Sequence, residues 1–80
     1  MTIEEIDIEM AHFTHAQYDA LERAITDKRR IAVMRRGTEY VVVPSRLIVE
    51  RGREAIHAHH PSGMIMTFYV DELESFEVVR

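Results

Sequence analysis

Three sets of side chains in this 80-residue chain have the types and spacing that could do chemistry. His57 and His59 stand two apart, so on a strand they would present both imidazoles on one face, as metal-binding strands do. A zinc site needs a third and usually a fourth ligand, and no cysteine or spaced carboxylate completes the set. The pattern therefore predicts no metal and no cofactor, with His57 and His59 as the weak candidates on a solvent-facing strand. Arg35, Arg36, Arg51 and Arg53 bracket two predicted turns, where clustered guanidinium groups can hold phosphate in a fork. Exposed charges of this kind also serve as a plain solvated rim. Ser45, Ser62 and Ser75 lack a His–acid partner at useful spacing, and no glycine-rich phosphate loop is present. Glu4-Glu5 and Glu72/Glu74 fall in segments that read as exposed. The expectation is a binding module without catalytic residues.

The elements that must position these groups are few. Thr14 reads as an N-cap, Gln17 completes a capping box, and Phe13 and Tyr18 occupy the positions of a hydrophobic staple. A helix over 14–28 follows, with Tyr18, Leu21 and Ile25 as its buried stripe and Ala20 and Ala24 allowing close approach. Asp19 and Glu22 early, and Lys28, Arg29 and Arg30 late, suit the helix dipole. From Ile31 onward only short strands appear. They cover 31–35, 39–43 (stopped by Pro44), 46–50, 54–59, 64–70 and 75–79, the 64–70 segment apolar enough to be central. Gly37, Arg51-Gly52-Arg53 and Pro61-Ser62-Gly63 mark turns, and residues 71–74 a single helical turn. In the 54–59 strand, Ala55, His57 and His59 should share one face, with Ile56 and Ala58 on the other. The reading is mainly β (α+β): five or six strands closed into a small barrel with one N-terminal helix, which leaves few exposed edges. Residues 1–13 form an arm or extra strand, and 14–80 the helix-capped domain.

Size and charge bound the function. A single domain of this length buries roughly 60% of its unfolded surface, so a deep pocket is not expected. The chain carries 30% charged residues and a net charge of −4, which disfavours non-specific nucleic-acid binding. Seven arginines between 29 and 53 nonetheless make the middle basic between acidic flanks. The acidic start lacks the pattern of a secretory signal, no apolar run approaches a membrane span, and cysteine is absent. These features predict a cytoplasmic protein, with self-association open.

Two sets of motifs resemble known families over residues 18–79. Leu21 to Ile25, then Val43-Pro44-Ser45-Arg46-Leu47, then Phe68-Tyr69-Val70-Asp71-Glu72-Leu73 are similar to the helix, the Pro-x-x-Leu strand and the late Phe-x-Leu-Asp-Arg-Ile motif of the WYL domain. That family is a small Sm/SH3-like barrel attached to bacterial transcription regulators. The three residues that name it are replaced by Glu54-Ala55-Ile56, and its late basic positions by Tyr69 and Glu72. The resemblance implies a regulatory module sensing an anionic ligand or single-stranded nucleic acid, with Arg35, Arg36, Arg51 and Arg53 supplying the face.

Tyr18-Asp19-Ala20-Leu21-Glu22 with Ala24, and Val70-Asp71-Glu72-Leu73-Glu74-Ser75-Phe76, are similar to the opening helix and the Leu-Asp-Lys-Ile-x-Ser-Phe ending of the Rho-binding antiterminators. Those are free-standing acidic proteins of the same helix-plus-barrel plan, which occlude the RNA-binding surface of Rho. This resemblance implies a basic protein partner such as Rho, met by Asp19, Glu22 and Asp27.

Overall fold

The computed structural model describes residues 13–79, and all of the expected N-terminal arm but Phe13 lies outside them. Helix α1 (His15–Asp27) is followed by β1 (Ile31–Arg35), β2 (Thr38–Glu50), β3 (Arg53–His59), β4 (Ile65–Tyr69), a 3-10 turn (Val70–Glu72) and β5 (Ser75–Val78). The class is mainly β, with one antiparallel sheet in the order β4-β3-β2-β1-β5.

The helix begins where its cap dictates. The Thr14 hydroxyl accepts from the Gln17 amide at 3.2 Å, and the Gln17 side chain accepts from the Thr14 amide at 2.8 Å. Phe13 meets Tyr18 with ring centroids 5.5 Å apart, which completes the staple. Lys28 ends the helix in the left-handed conformation (φ 57°), its amide reaching the carbonyls of Ala24 and Ile25. The expected charge pattern does not hold at the ends. The first turn contains no acid and the last no base, because Asp19 and Glu22 lie past the first turn and the basic run starts at the cap. A side-chain capping box at the start and a backbone cap at the end, rather than the dipole, fix the termini. Leu21 and Ala24 are buried, whereas Ile25 packs against the core only half-buried.

Two turns set the sheet register. Arg36-Gly37 joins β1 to β2 and Arg51-Gly52 joins β2 to β3, with all four residues at positive φ. Arg35 faces Thr38, and Glu50 faces Arg53, so both turns are two-residue hairpin loops of the type whose twist matches that of paired strands.

Pro44 does not stop a strand. Residues 38–50 form one continuous β2, and the register slips between Pro44 and Arg46. Thr38–Val42 pairs with β1, and Val43–Glu50 pairs with β3 on the other side. Proline lacks an amide donor, so the change of partner falls where a ladder bond is already lost. The two strands read as 39–43 and 46–50 are therefore one, and the described residues form five strands. A second expectation also changes: among the described residues β4 is an edge strand, paired only with β3. Its apolar run misled because Phe68 is buried while Ile65 stands in solvent.

The 3-10 turn swings the chain back so that β5 pairs with β1, Ile31 opposite Val78. Leu21, Ile31, Val33, Val42, Ile56 and Phe68 fill the interior, with Val70 and Leu73 below them. In β3, Ala55 is as buried as Ile56 and Ala58, because it lies between Ile48 and Tyr69 in the two ladders. Among the described residues no β4–β5 ladder closes the ring, and no helix is long and apolar enough to cross a membrane.

Candidate functional site

The four arginines are not brought to one face. Arg36 and Arg51 sit in hairpin loops at opposite ends of the 13-residue β2, both exposed. Arg53, half-buried on β3, lies over the Tyr69 ring at 3.9 Å. Its Nε and a terminal nitrogen donate to the two carboxylate oxygens of Asp71 at 3.0 and 2.6 Å, and the same terminal nitrogen donates to Glu72 at 3.2 Å. These carboxylates, accepting from the charged form, hold the guanidinium pKa above its ordinary value. Glu72 stands at a position that the WYL motif fills with a base, and Arg53 is occupied by it and by Asp71.

Arg35 is committed differently. Its side chain leaves the end of β1, passes over Tyr40 (5.2 Å) and Phe68 (4.8 Å), and donates to the backbone carbonyl of Thr67 on β4 at 3.2 Å. It spans the opening between β1 and β4.

The acids of α1 are arranged otherwise. Asp19, Glu22 and Asp27 line one shallow strip with Arg23 and Thr26, all five exposed. The spacing of three, four, seven and eight from Asp19 explains the shared face, since such residues neighbour one another on a helix. None of the three acids makes an ion pair among the described residues. A groove flanks the helix on each side. One is floored by Ala20, Ala24 and Val78, and the other runs past Ile25, Ser45, Arg46 and Leu47 at the β2 irregularity.

The strip is held on a fixed helix. Tyr18 donates its phenolic hydrogen to Glu54 on β3, and Phe13 stacks on Phe76 of β5 with centroids 5.0 Å apart. Helical spacing puts Tyr18 in the buried stripe, yet the side chain is only half-buried. Its hydroxyl partner lies 36 residues away, and no local spacing could have flagged it.

His57 and His59 lie on β3 as expected, yet His57 faces Glu50, with Nε2 3.4 Å from Oε1. The other oxygen of Glu50 accepts from the Tyr69 hydroxyl at 3.4 Å. Among the described residues, no three His, Cys, Asp or Glu side chains gather as a metal would require. Ser45 donates to the His57 carbonyl, and the Ser62 hydroxyl meets the His60 ring at 3.0 Å and accepts from the Met64 amide within its own turn. No family model, no curated protein and no solved structure matches the chain.

Proposed function

We propose that this chain is a non-catalytic binding module that docks the acidic strip of α1 on a basic protein surface. The resemblance to Rho-binding antiterminators supplies the candidate partner, the RNA-binding surface of Rho, and with it a role in bacterial transcription control in the cytoplasm. One observation carries the reading: Asp19, Glu22 and Asp27 share an exposed helical face without an ion pair among the described residues. Carboxylates without an ion pair stay open to an incoming cation, and they outnumber Arg23, the one base on the same strip. The capping box, the Tyr18–Glu54 hydrogen bond and the Phe13–Phe76 stack support it further, because a pre-ordered helix loses little entropy on docking. The competing anion-binding reading has weaker support, with two of its four arginines engaged inside the molecule and the other two at separate turns.

Titration calorimetry of the protein against purified Rho tests this. Saturable binding is expected, weakened by salt, lost in Asp19→Lys and Glu22→Lys, and competitive with single-stranded RNA. A gel shift at low salt should show no binding of a single-stranded oligonucleotide to the protein itself. Oligonucleotide binding that Arg36→Glu or Arg51→Glu removes would sink the proposal in favour of an anion-binding module.

A further inference from the structure

The chain from Met64 to Val70 (Met-Ile-Met-Thr-Phe-Tyr-Val) is a strand-forming run of seven residues without charge, proline or glycine. Such a run on a free sheet edge is a template for pairing with another chain. β4 is that edge. Two hydrogen bonds show which of its backbone groups face outward. The Met64 carbonyl accepts from the His60 amide, so Met64, Met66 and Phe68 direct their backbone groups towards β3. The His57 carbonyl, opposite Thr67, accepts from Ser45 of β2 and so points away from β4. Both observations leave the amides and carbonyls of Ile65, Thr67 and Tyr69 along the open edge. Of these three, the middle carbonyl is the one that receives the Arg35 guanidinium, at 3.2 Å.

We propose that Arg35 is an edge guard: it occupies the centre of the β4 edge and keeps the protein monomeric, and without it two copies pair through β4. A second copy fits this edge on its own geometry. An antiparallel pair with its two-fold axis at Thr67 sets Ile65 opposite Tyr69 of the other copy. Ile65 is 68% exposed and Met64 60%, so pairing would cover apolar surface now in water. No charged side chain within the run opposes the approach. The obstacle is Arg35, whose guanidinium occupies the carbonyl that the incoming strand needs and places a cation there in each copy. Its stacking over Tyr40 and Phe68 holds it in place.

Sedimentation velocity over a hundredfold concentration range tests the guard, with Arg35→Met as the variant. Methionine keeps an apolar stem over the two rings and removes both donor and charge. The parent and Arg35→Lys, which retains a donor, should stay at the 9.4 kDa monomer, while Arg35→Met moves towards twice that mass as concentration rises. Thr67→Pro added to Arg35→Met should restore the monomer. Proline at 67 removes an amide that faces the open edge and blocks an incoming strand. A folded Arg35→Met that remains monomeric overturns the proposal, as does a dimer that survives Thr67→Pro. An Arg35→Met chain without a cooperative thermal transition also overturns it, since Arg35 would then hold the fold itself. Dimerisation of Arg35→Lys to the same extent as Arg35→Met would do so too.

Discussion

The hydroxyl of Tyr18 on α1 donates to the carboxylate of Glu54 on β3, tying the helix to a strand 36 residues further along the chain. That acceptor, and after it partial burial, pushes the phenol up to about 12 from its ordinary 10.0. A raised folded-state pKa contributes stability that is present below pH 10 and fades as pH rises through 12. Tyr18→Phe should cost about 1 kcal/mol near neutral pH, the scale of one partly exposed hydrogen bond. Urea unfolding of both proteins should show that difference shrinking above pH 10. A constant difference up to pH 12 would mean the phenol is not held by Glu54.

Leu21 is wholly buried at the centre of the core, and Ile25, one turn on, is only partly so. Leu21→Ala should cost roughly 2–5 kcal/mol, and Ile25→Ala distinctly less, because water already reaches part of that side chain. Chemical denaturation ranks the two; equal losses would contradict the packing described for α1.

Arg53 stacks on Tyr69 and grips Asp71 with a two-pronged hydrogen bond. Lysine offers a point charge and no flat face, so Arg53→Lys should lower the melting temperature and speed amide exchange at Leu73. Unchanged exchange there would show that the 3-10 turn stands without the guanidinium.

Arg36 and Arg51 hold φ of 53° and 56°, where a β-carbon is crowded. Asparagine tolerates that region better, and Asn-Gly is the preferred pair for such a loop. Arg36→Asn and Arg51→Asn should therefore each raise stability by about 0.5–1 kcal/mol. Thermal melts settle the sign, and a loss would mean the arginine side chains support the loops in a way their exposure does not suggest.

Zinc added to the protein should move the imidazole resonances of His57 and His59 only weakly and without fixed stoichiometry. Two imidazoles fill half of a tetrahedral shell, and His57 already faces Glu50. A one-to-one site of micromolar affinity would reopen metal chemistry.

Local signals carried most of the fold. The Thr14–Gln17 box, the two Arg-Gly turns and the apolar runs mark α1 and the strand sequence without reference to tertiary structure. What sequence could not supply was partnership. Pro44 reads as a stop because proline lacks a donor, and only the ladder reveals that β2 changes neighbours at that point. The 64–70 run reads as central because burial follows pairing, and pairing is non-local. The same limit applies to the candidate site. The acidic strip is legible from helical spacing, whereas the neutralisation of Arg53 by Asp71 and Glu72, and the reach of Arg35 to Thr67, depend on strands brought together by folding.

β2 is a party wall. Its first five residues complete one half of the sheet with β1 and β5, and the rest complete the other half with β3 and β4. The molecule consequently has no seam along which it could be divided into two self-sufficient pieces. A chain severed at Gly52 would leave Val43–Glu50 on one fragment and the whole of β3 on the other, each with a bare row of backbone groups. Such fragments acquire a fold only by finding each other.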